Sequence, residues 1–313
     1  MSAPLTIVFM GTPDFAVPSL QALLDGPDRV VAVISQPDRA SGRGRQVNPP
    51  PVKVLAEQAG LTVLQPESVK TPAFLEAIGA YAPDLLVVVA YGRILPGPLL
   101  RLARLGALNV HGSLLPRYRG AAPIQWAVIN GERETGITIM QLDEGMDTGP
   151  VLLSAATPIG PEETAGELFT RLAALGGRTL ATAVNRLRQD DFVPVPQDHT
   201  QATLAPMLTK KQGHLNWNRP ASELHCLIRG LDPWPSAYAF LDGLRVRLFR
   251  PEVVPQRADV VPGTISHADK DGLMVATADT WLRIREIQPE GKKRMPVSAY
   301  LHGMPIPAGT RLN

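Results

Sequence analysis

The chain has 313 residues, of which 44% are hydrophobic and 19% are charged, and its net charge is +2. This apolar content is enough to form hydrophobic cores, which excludes a disordered chain, and the length favours two domains over one. The longest purely apolar run, residues 85–90, is far shorter than the about 20 residues that span a bilayer, which excludes a transmembrane helix. The single cysteine excludes a disulfide framework within the chain, so we expect a cytoplasmic protein.

The first 190 residues alternate between short apolar runs and amphipathic segments. The run at 85–90, LLVVVA, is apolar without alternation, which is typical of a strand covered on both faces. Strands that alternate with helices indicate a Rossmann-like, doubly wound and mostly parallel α/β sheet. The predicted strands are Leu5–Met10, Val30–Ile34, Thr62–Leu64, Leu85–Ala90, Ala107–Val110, Gly136–Leu142 and Val151–Ile159, and the predicted helices include Val52–Ala59, Pro72–Tyr81 and Glu163–Arg188.

Composition changes after residue 189. Residues 190–206 contain three prolines and polar residues such as Gln197, which predicts a semi-rigid linker. Beyond it, two short apolar runs flank Asp242-Gly243, a strong signal for a two-residue hairpin. Further short strands predict a small β-barrel resembling an oligonucleotide-binding domain. We therefore predict a catalytic domain at 1–189, a linker at 190–206 and a barrel at 207–313.

Positive charge is concentrated in two parts of the chain. Residues 205–313 carry 15 Lys and Arg against 10 Asp and Glu, whereas the preceding residues have a net negative charge. The segment 36–51 combines several arginines with glycines and three consecutive prolines. Guanidinium groups suit phosphate contacts, so both regions are candidates for binding a polyanion. Ordinary scatter of charge and a plain surface loop remain alternatives.

The densest group of polar residues suited to chemistry lies between Asn109 and Asp147. Asn109 and His111 are two apart at the end of a predicted strand, so their side chains point to the same side. Asp147 lies in a glycine-flanked loop after the next strand. An amide and an imidazolium can stabilise an oxyanion while a carboxylate accepts a proton, which suits acyl transfer. Neither a nucleophile elbow nor a zinc-ligand spacing is present, so we expect no covalent acyl-enzyme and no metal; His111 as an ordinary strand-end histidine is the alternative.

These residues also carry a family resemblance. The run NVHGSLLPRYRG at 109–120 and the run LDEGMDTGP around Asp147 resemble the formyltransferases that use 10-formyl-tetrahydrofolate. Further stretches resemble, over nearly the whole chain, the bacterial members that act on initiator methionyl-tRNA: FMGTPDFAVPSL, QPDRASGRGR, VVVAYGRILP, RGLDPWPSAY and QPEGKKRM.

The resemblance implies transfer of a formyl group from 10-formyl-tetrahydrofolate to the α-amino group of initiator methionyl-tRNA, by a monomer. It implies catalytic roles for Asn109, His111 and Asp147, and folate contacts for Ser113, Leu114, Leu115 and Pro116. It also implies that the basic loop, with Arg39, Arg43 and Arg45, reaches the acceptor stem. Charge and position add Lys210, Lys211, Lys292, Lys293 and Arg294 as tRNA contacts. The alternatives are a formyltransferase for a small amine, such as glycinamide ribonucleotide or an amino sugar nucleotide, and a non-catalytic tRNA-binding protein.

Overall fold

The computed structural model of the chain describes residues 3–41 and 46–313, so the predicted contacts Arg43 and Arg45 lie outside the described residues. No helix within these ranges is both long enough and apolar enough to cross a membrane. In chain order the elements are β1 (Thr6–Gly11), α1 (Val17–Leu24), β2 (Arg29–Ile34), β3 (Arg39–Ser41), β4 (Gln46–Asn48), α2 (Pro51–Gln58), β5 (Val63–Leu64), α3 (Pro72–Gly79), β6 (Leu85–Val89), α4 (Gly97–Leu100), β7 (Ala107–His111), α5 (Pro123–Ile129), β8 (Glu134–Gln141), β9 (Val151–Pro158), α6 (Ala165–Arg188), α7 (Ala221–Gly230), β10 (Tyr238–Leu241), β11 (Leu244–Arg257), β12 (Ile265–Asp269), β13 (Gly272–Ala276), β14 (Thr280–Pro289), β15 (Met295–Pro296) and α8 (Val297–Leu301).

The first compact unit is built on a seven-stranded sheet in the order β5-β2-β1-β6-β7-β8-β9. The first five strands in this order, β5, β2, β1, β6 and β7, are parallel to one another. Strands β8 and β9 continue the sheet in antiparallel pairing. All five residues of β6 are buried, as the uninterrupted apolar run predicts. A mostly parallel α/β sheet is therefore confirmed. The last two strands run antiparallel, and β9 follows β8 through a short loop with no crossover helix.

Strand β7 directs its side chains to two different environments. Helix α6 passes so close to the strand that a Cβ added at Gly176 would lie 3.0 Å from Cγ1 of Val110. Ala107, at the start of the strand, belongs instead to the core formed with β1, β2 and β6 on the other face. Because side chains alternate along a strand, Asn109 and His111 share the face of Ala107 and not that of Val110.

The second compact unit contains an antiparallel sheet in the order β10-β11-β14-β13-β12, with β15 added to β14. The predicted hairpin is confirmed: Leu241 pairs with Leu244 across Asp242 and Gly243. Both turn residues have positive φ, 49° and 77°, the backbone that matches the twist of the flanking strands.

The last residues of the chain close this sheet into a barrel. Leu312 N donates to Gly263 O at 2.9 Å, beside the edge strand β12, while Asn313 N donates to Phe240 O at 3.0 Å on the opposite edge strand, β10. Phe240 N returns a hydrogen bond to Asn313 O at 2.8 Å. The tail thereby supplies hydrogen-bonding partners to both edges, which confirms the predicted small barrel.

The two compact units interleave along the chain. The second unit includes residues 121–133 and 159–168 in addition to 206–313. Helix α5 accordingly packs against α7, and Ala122 belongs to the barrel's hydrophobic core. Domain boundaries drawn in chain order at residues 189 and 207 stay a prediction, whereas the structure groups segments from both sides of those boundaries.

The barrel closure makes a residue next to the chain terminus important for stability. Leu312 is 2% exposed and lies in the barrel core. We expect Leu312→Ala to lower the free energy of unfolding by about 2–4 kcal/mol, the cost of a cavity at a buried leucine. Urea unfolding checks this, with Leu244→Ala, a leucine that is 62% exposed, as the control. Equal midpoints for the two variants would contradict closure by the tail.

Candidate active site

His111 lies at the carboxyl end of β7 and is only 5% exposed. Its Nε2 is 2.9 Å from the carbonyl oxygen of Tyr118. Because a carbonyl only accepts hydrogen bonds, Nε2 carries a hydrogen and donates it there. The other ring nitrogen, Nδ1, faces Oδ2 of Asp147 at 3.7 Å. A second proton on the ring therefore sits at Nδ1, opposite a carboxylate that stabilises the resulting positive charge.

The two residues that contact this imidazole have unusual backbone conformations. Tyr118 has φ 62° and Asp147 has φ 54°, both in the left-handed region that L-residues disfavour by about 1–2 kcal/mol. Such conformations persist where surrounding contacts determine them, and they are concentrated at functional sites. The structure thus places strained backbone on both sides of one buried histidine.

Gly120 connects these two strained segments. Its N–H donates to Oδ2 of Asp147 at 2.8 Å. Its φ of 118° is accessible to glycine, and an added Cβ would lie 2.8 Å from the carbonyl oxygen of Ala205. Only glycine fits this position, and its amide fixes the direction of the carboxylate.

The backbone of the Asp147 loop is held by Gln197, which is 7% exposed. Gln197 Nε2 donates to the carbonyl oxygens of Asp147 at 2.9 Å and Gly149 at 2.7 Å. Gln197 Oε1 accepts from Nε and Nη2 of Arg119 at 3.2 and 2.6 Å. The segment predicted to be a linker therefore contributes a buried side chain to this loop.

Asn109 completes the group on the same face of β7. Its side chain is half-buried, and within residues 3–41 and 46–313 its amide makes no hydrogen bond. Oδ1 of Asp147 also has no partner among these residues. An amide, an imidazole and a carboxylate oxygen are thus available together beside one end of β7.

The residues predicted to contact folate form a turn fastened to β8. Thr138 Oγ1 donates to the carbonyl oxygen of Ser113 at 2.7 Å and accepts from Leu115 N at 3.1 Å. The Ser113 hydroxyl donates to Arg117 O at 2.6 Å, so it shapes the turn. Leu114, Leu115 and Pro116 are half-buried. The turn is a rigid, partly apolar wall next to His111.

The predicted tRNA contacts occupy different environments. Arg39 is exposed, as are the neighbouring pairs Lys210–Lys211 and Lys292–Lys293. The guanidinium of Arg294 pairs with Asp232 and Glu286, and its Cζ lies 4.0 Å from the centroid of the Phe249 ring. Burial raises the pKa of Asp232, and the adjacent Arg294 opposes that shift. Arg294 is therefore engaged within its own unit, whereas no ion pair of the four lysine side chains occurs among the described residues.

Sequence reasoning did not identify the groups that hold His111 and Asp147 in place. The carbonyl of Tyr118 and the amide of Gly120 are main-chain atoms, which leave no side-chain signature. Gln197 lies among prolines and polar residues, so it resembled linker composition. No group of three or more His, Cys, Asp and Glu in the described part of the chain is arranged to hold a metal ion.

The chain is similar to known proteins over nearly its whole length. The sequence profile of the formyl transferase family matches residues 5–184, and that of the formyl transferase C-terminal domain matches 207–305. The methionyl-tRNA formyltransferase of Desulfotalea psychrophila is 59% identical over 98% of this chain and 95% of its own length. That of Citrifermentans bemidjiense is 47% identical over 97% and 95%.

A solved structure of HypX from Aquifex aeolicus in complex with tetrahydrofolic acid shares the fold, with a TM-score of 0.64 at 17% identity. The match covers 96% of this chain and 47% of that protein, so the chain spans about half the length of HypX. The matched profiles and the sheet-edge site define the chain as a formyltransferase. More narrowly, the chain belongs to the family of methionyl-tRNA formyltransferases.

The turn at 113–116 depends on one buried hydroxyl, that of Thr138. We expect Thr138→Val, which keeps the shape, to lower the free energy of unfolding by about 1–3 kcal/mol because Ser113 O and Leu115 N lose their partner. Denaturant unfolding measures this, with Thr182→Val on the exposed face of α6 as the control. A loss no greater than that of the control would contradict the role of Thr138.

Proposed function

We propose that the enzyme transfers the formyl group of 10-formyl-tetrahydrofolate to the α-amino group of initiator methionyl-tRNA. The observation that carries this proposal is the group of Asn109, His111 and Asp147 at one end of β7. The names of the relatives that match nearly the whole chain support methionyl-tRNA as the acceptor. A small amine as acceptor is less well supported, because the whole chain, including its basic barrel, matches these relatives.

The chemistry is a direct attack by the neutral amine on the formyl carbon. The new carbon–nitrogen bond forms as the formyl oxygen becomes an oxyanion. The amine then loses a proton, and the bond from the formyl carbon to N10 of the folate breaks with its electron pair going to N10. N10 takes up a proton, which leaves tetrahydrofolate and the N-formylated amine. The protein must therefore stabilise an oxyanion and accept a proton.

The geometry suggests how the three side chains divide these tasks. Nε2 of His111 is committed to Tyr118 O, so the hydrogen that His111 gives to the oxyanion comes from Nδ1 of the imidazolium. The amide of Asn109, which has no hydrogen-bonding partner in the described part of the chain, supplies the second donor. Asp147 stabilises the imidazolium through Oδ2 and accepts the amine proton through Oδ1. Each donor aimed at such an oxyanion typically contributes about 3–4 kcal/mol.

The folate is proposed to lie against the turn of Ser113, Leu114, Leu115 and Pro116. A pteridine ring is flat and is edged with donors and acceptors. Half-buried apolar side chains can cover such a ring, while the fixed backbone of the turn offers polar groups to its edge. The bonds from Thr138 support this function because they keep the turn rigid before the folate binds.

The tRNA is proposed to contact the exposed lysine pairs Lys210–Lys211 and Lys292–Lys293, which belong to the second compact unit. Ammonium groups free in solvent can neutralise phosphates and release counterions. The loop with Arg39, Arg43 and Arg45 is proposed to reach the acceptor stem. Arg294 is proposed as a further phosphate contact, and its guanidinium also pairs with Asp232 and Glu286.

Replacing the carboxylate tests the catalytic assignment. We expect Asp147→Asn to lower kcat by at least about 100-fold, because the amide cannot accept the amine proton and does not stabilise the imidazolium. An amide oxygen can still accept from Gly120 N–H, so folate affinity stays close to that of the parent. Steady-state kinetics and folate titration measure both quantities, with the exposed Asp25→Asn as the control. Near-normal turnover would remove Asp147 from the mechanism.

Charge neutralisation tests the tRNA assignment. With Lys210, Lys211, Lys292 and Lys293 all changed to Gln, we expect the KM for methionyl-tRNA to rise about tenfold or more while the KM for folate stays unchanged. The dependence of log affinity on log salt should lose about one unit of slope for each phosphate contact removed. Filter binding at several salt concentrations measures the slope, with Lys70→Gln as the control. An unchanged slope would show that the tRNA phosphates do not contact these four lysines.

A further inference from the structure

The side-chain amide of Gln197 lies between the buried guanidinium of Arg119 and the loop that contains Asp147. Both of its donated hydrogen bonds go to main-chain carbonyls of that loop, those of Asp147 and Gly149. Its oxygen accepts two hydrogen bonds from the guanidinium of Arg119. Arg119 and Gln197 are each only 7% exposed. All the polar atoms of this side chain are thus engaged, away from solvent.

Arg119 determines which way the amide of Gln197 points. A guanidinium only donates hydrogen bonds, so it faces the amide oxygen and leaves the NH2 group for the loop. Arg119 itself is anchored, because its N–H donates to Thr203 O at 2.8 Å and its carbonyl accepts from Ala205 N at 2.7 Å. Its Nη2 also lies 3.0 Å from Nδ1 of His199. The orientation of the Gln197 amide is therefore determined independently of the loop that it holds.

The chemistry of this position explains why an amide is needed. A carboxylate would pair better with the guanidinium, but it would present an oxygen to two carbonyl oxygens and repel them. An apolar side chain would leave the guanidinium and both carbonyls without these hydrogen bonds. Of these three groups, only the amide both accepts from the guanidinium through its oxygen and donates two hydrogen bonds through its NH2 group.

These contacts fix Asp147 at two points. Gly120 N holds the carboxylate oxygen Oδ2, and Gln197 holds the main-chain oxygen of the same residue, whose φ is 54°. We propose that Gln197 is a positioning residue that sets the catalytic geometry of Asp147 from the segment between the two family-matched regions. This inference rests on the proposed role of Asp147 and extends it to a side chain that does not touch the reacting atoms.

One substitution at Gln197 changes its contacts with the loop and keeps its contact with Arg119. Gln197→Glu keeps a partner for Arg119 but removes both hydrogen bonds to the loop. We expect kcat to fall about 10- to 100-fold, the cost of displacing a catalytic group by a fraction of an ångström to an ångström, with the KM for each substrate nearly unchanged. The thermal midpoint should stay within about 4 °C of the parent. Gln189→Glu, an exposed glutamine just after α6 whose side-chain amide donates to Asn185 Oδ1, is the matched control and should retain parental kcat.

A double variant distinguishes positioning from general stability. If Gln197 acts through Asp147, adding Gln197→Glu to Asp147→Asn lowers kcat by less than about threefold beyond the single Asp147 variant. Equal losses in both backgrounds, or a parental kcat for Gln197→Glu alone, would overturn the proposal. Gln197→Met, which has a similar length and no hydrogen-bonding group, repeats the test if the glutamate variant folds poorly. A normal kcat for Asp147→Asn would instead refute the proposed role of Asp147, which is a distinguishable result.

Discussion

The arrangement of the site depends on one constraint: each ring nitrogen of the buried His111 faces a particular group of the protein. The carbonyl of Tyr118 fixes the hydrogen on Nε2 of His111, so the ring meets the site through Nδ1 alone. Asp147 stands 3.7 Å from that nitrogen, close enough to stabilise a positive ring but beyond an ordinary hydrogen bond. In the proposed mechanism, this gap leaves the Nδ1 hydrogen available to an oxyanion that lies near the plane of the ring. The proton that makes the ring positive is therefore also the hydrogen that Nδ1 donates.

Maintaining this constraint requires strained backbone, and the sheet supplies the rigidity that holds it. Tyr118 and Asp147 each occupy the left-handed region and lie in loops, where such conformations would relax if nothing opposed them. The amide of Gly120 links the two loops by its hydrogen bond to Asp147. Gln197 adds a second link, because it accepts from Arg119 and donates to the carbonyl oxygen of Asp147. Meanwhile β7 is fixed between a parallel and an antiparallel neighbour. The loops of the site are thus held by hydrogen bonds to one another and to the end of a strand that is paired on both sides.

The sequence predicts the fold more completely than the site. Uniform burial of β6 and the hairpin at Asp242-Gly243 follow from local patterns, and both are confirmed. Asn109 and His111 could be placed on one face because strand periodicity dictates it. The interleaving of the two units could not be predicted, since packing of α5 on α7 is a long-range contact with no local signal. Neither could the role of Gln197, because its partners are carbonyls that any residue carries.

The most direct test of the account is a crystal structure of the enzyme with 5-formyl-tetrahydrofolate, whose formyl group resides on the neighbouring nitrogen and is a poor donor. We expect pteridine density against the 113–116 turn and the formyl group beside the carboxyl end of β7. We also expect that Nε2 of His111 keeps its hydrogen bond to Tyr118 O, while Nδ1 and the Asn109 amide face the formyl oxygen. A ring rotated so that Nε2 points at the ligand, or a formyl group bound away from Asp147, would contradict the proposed mechanism.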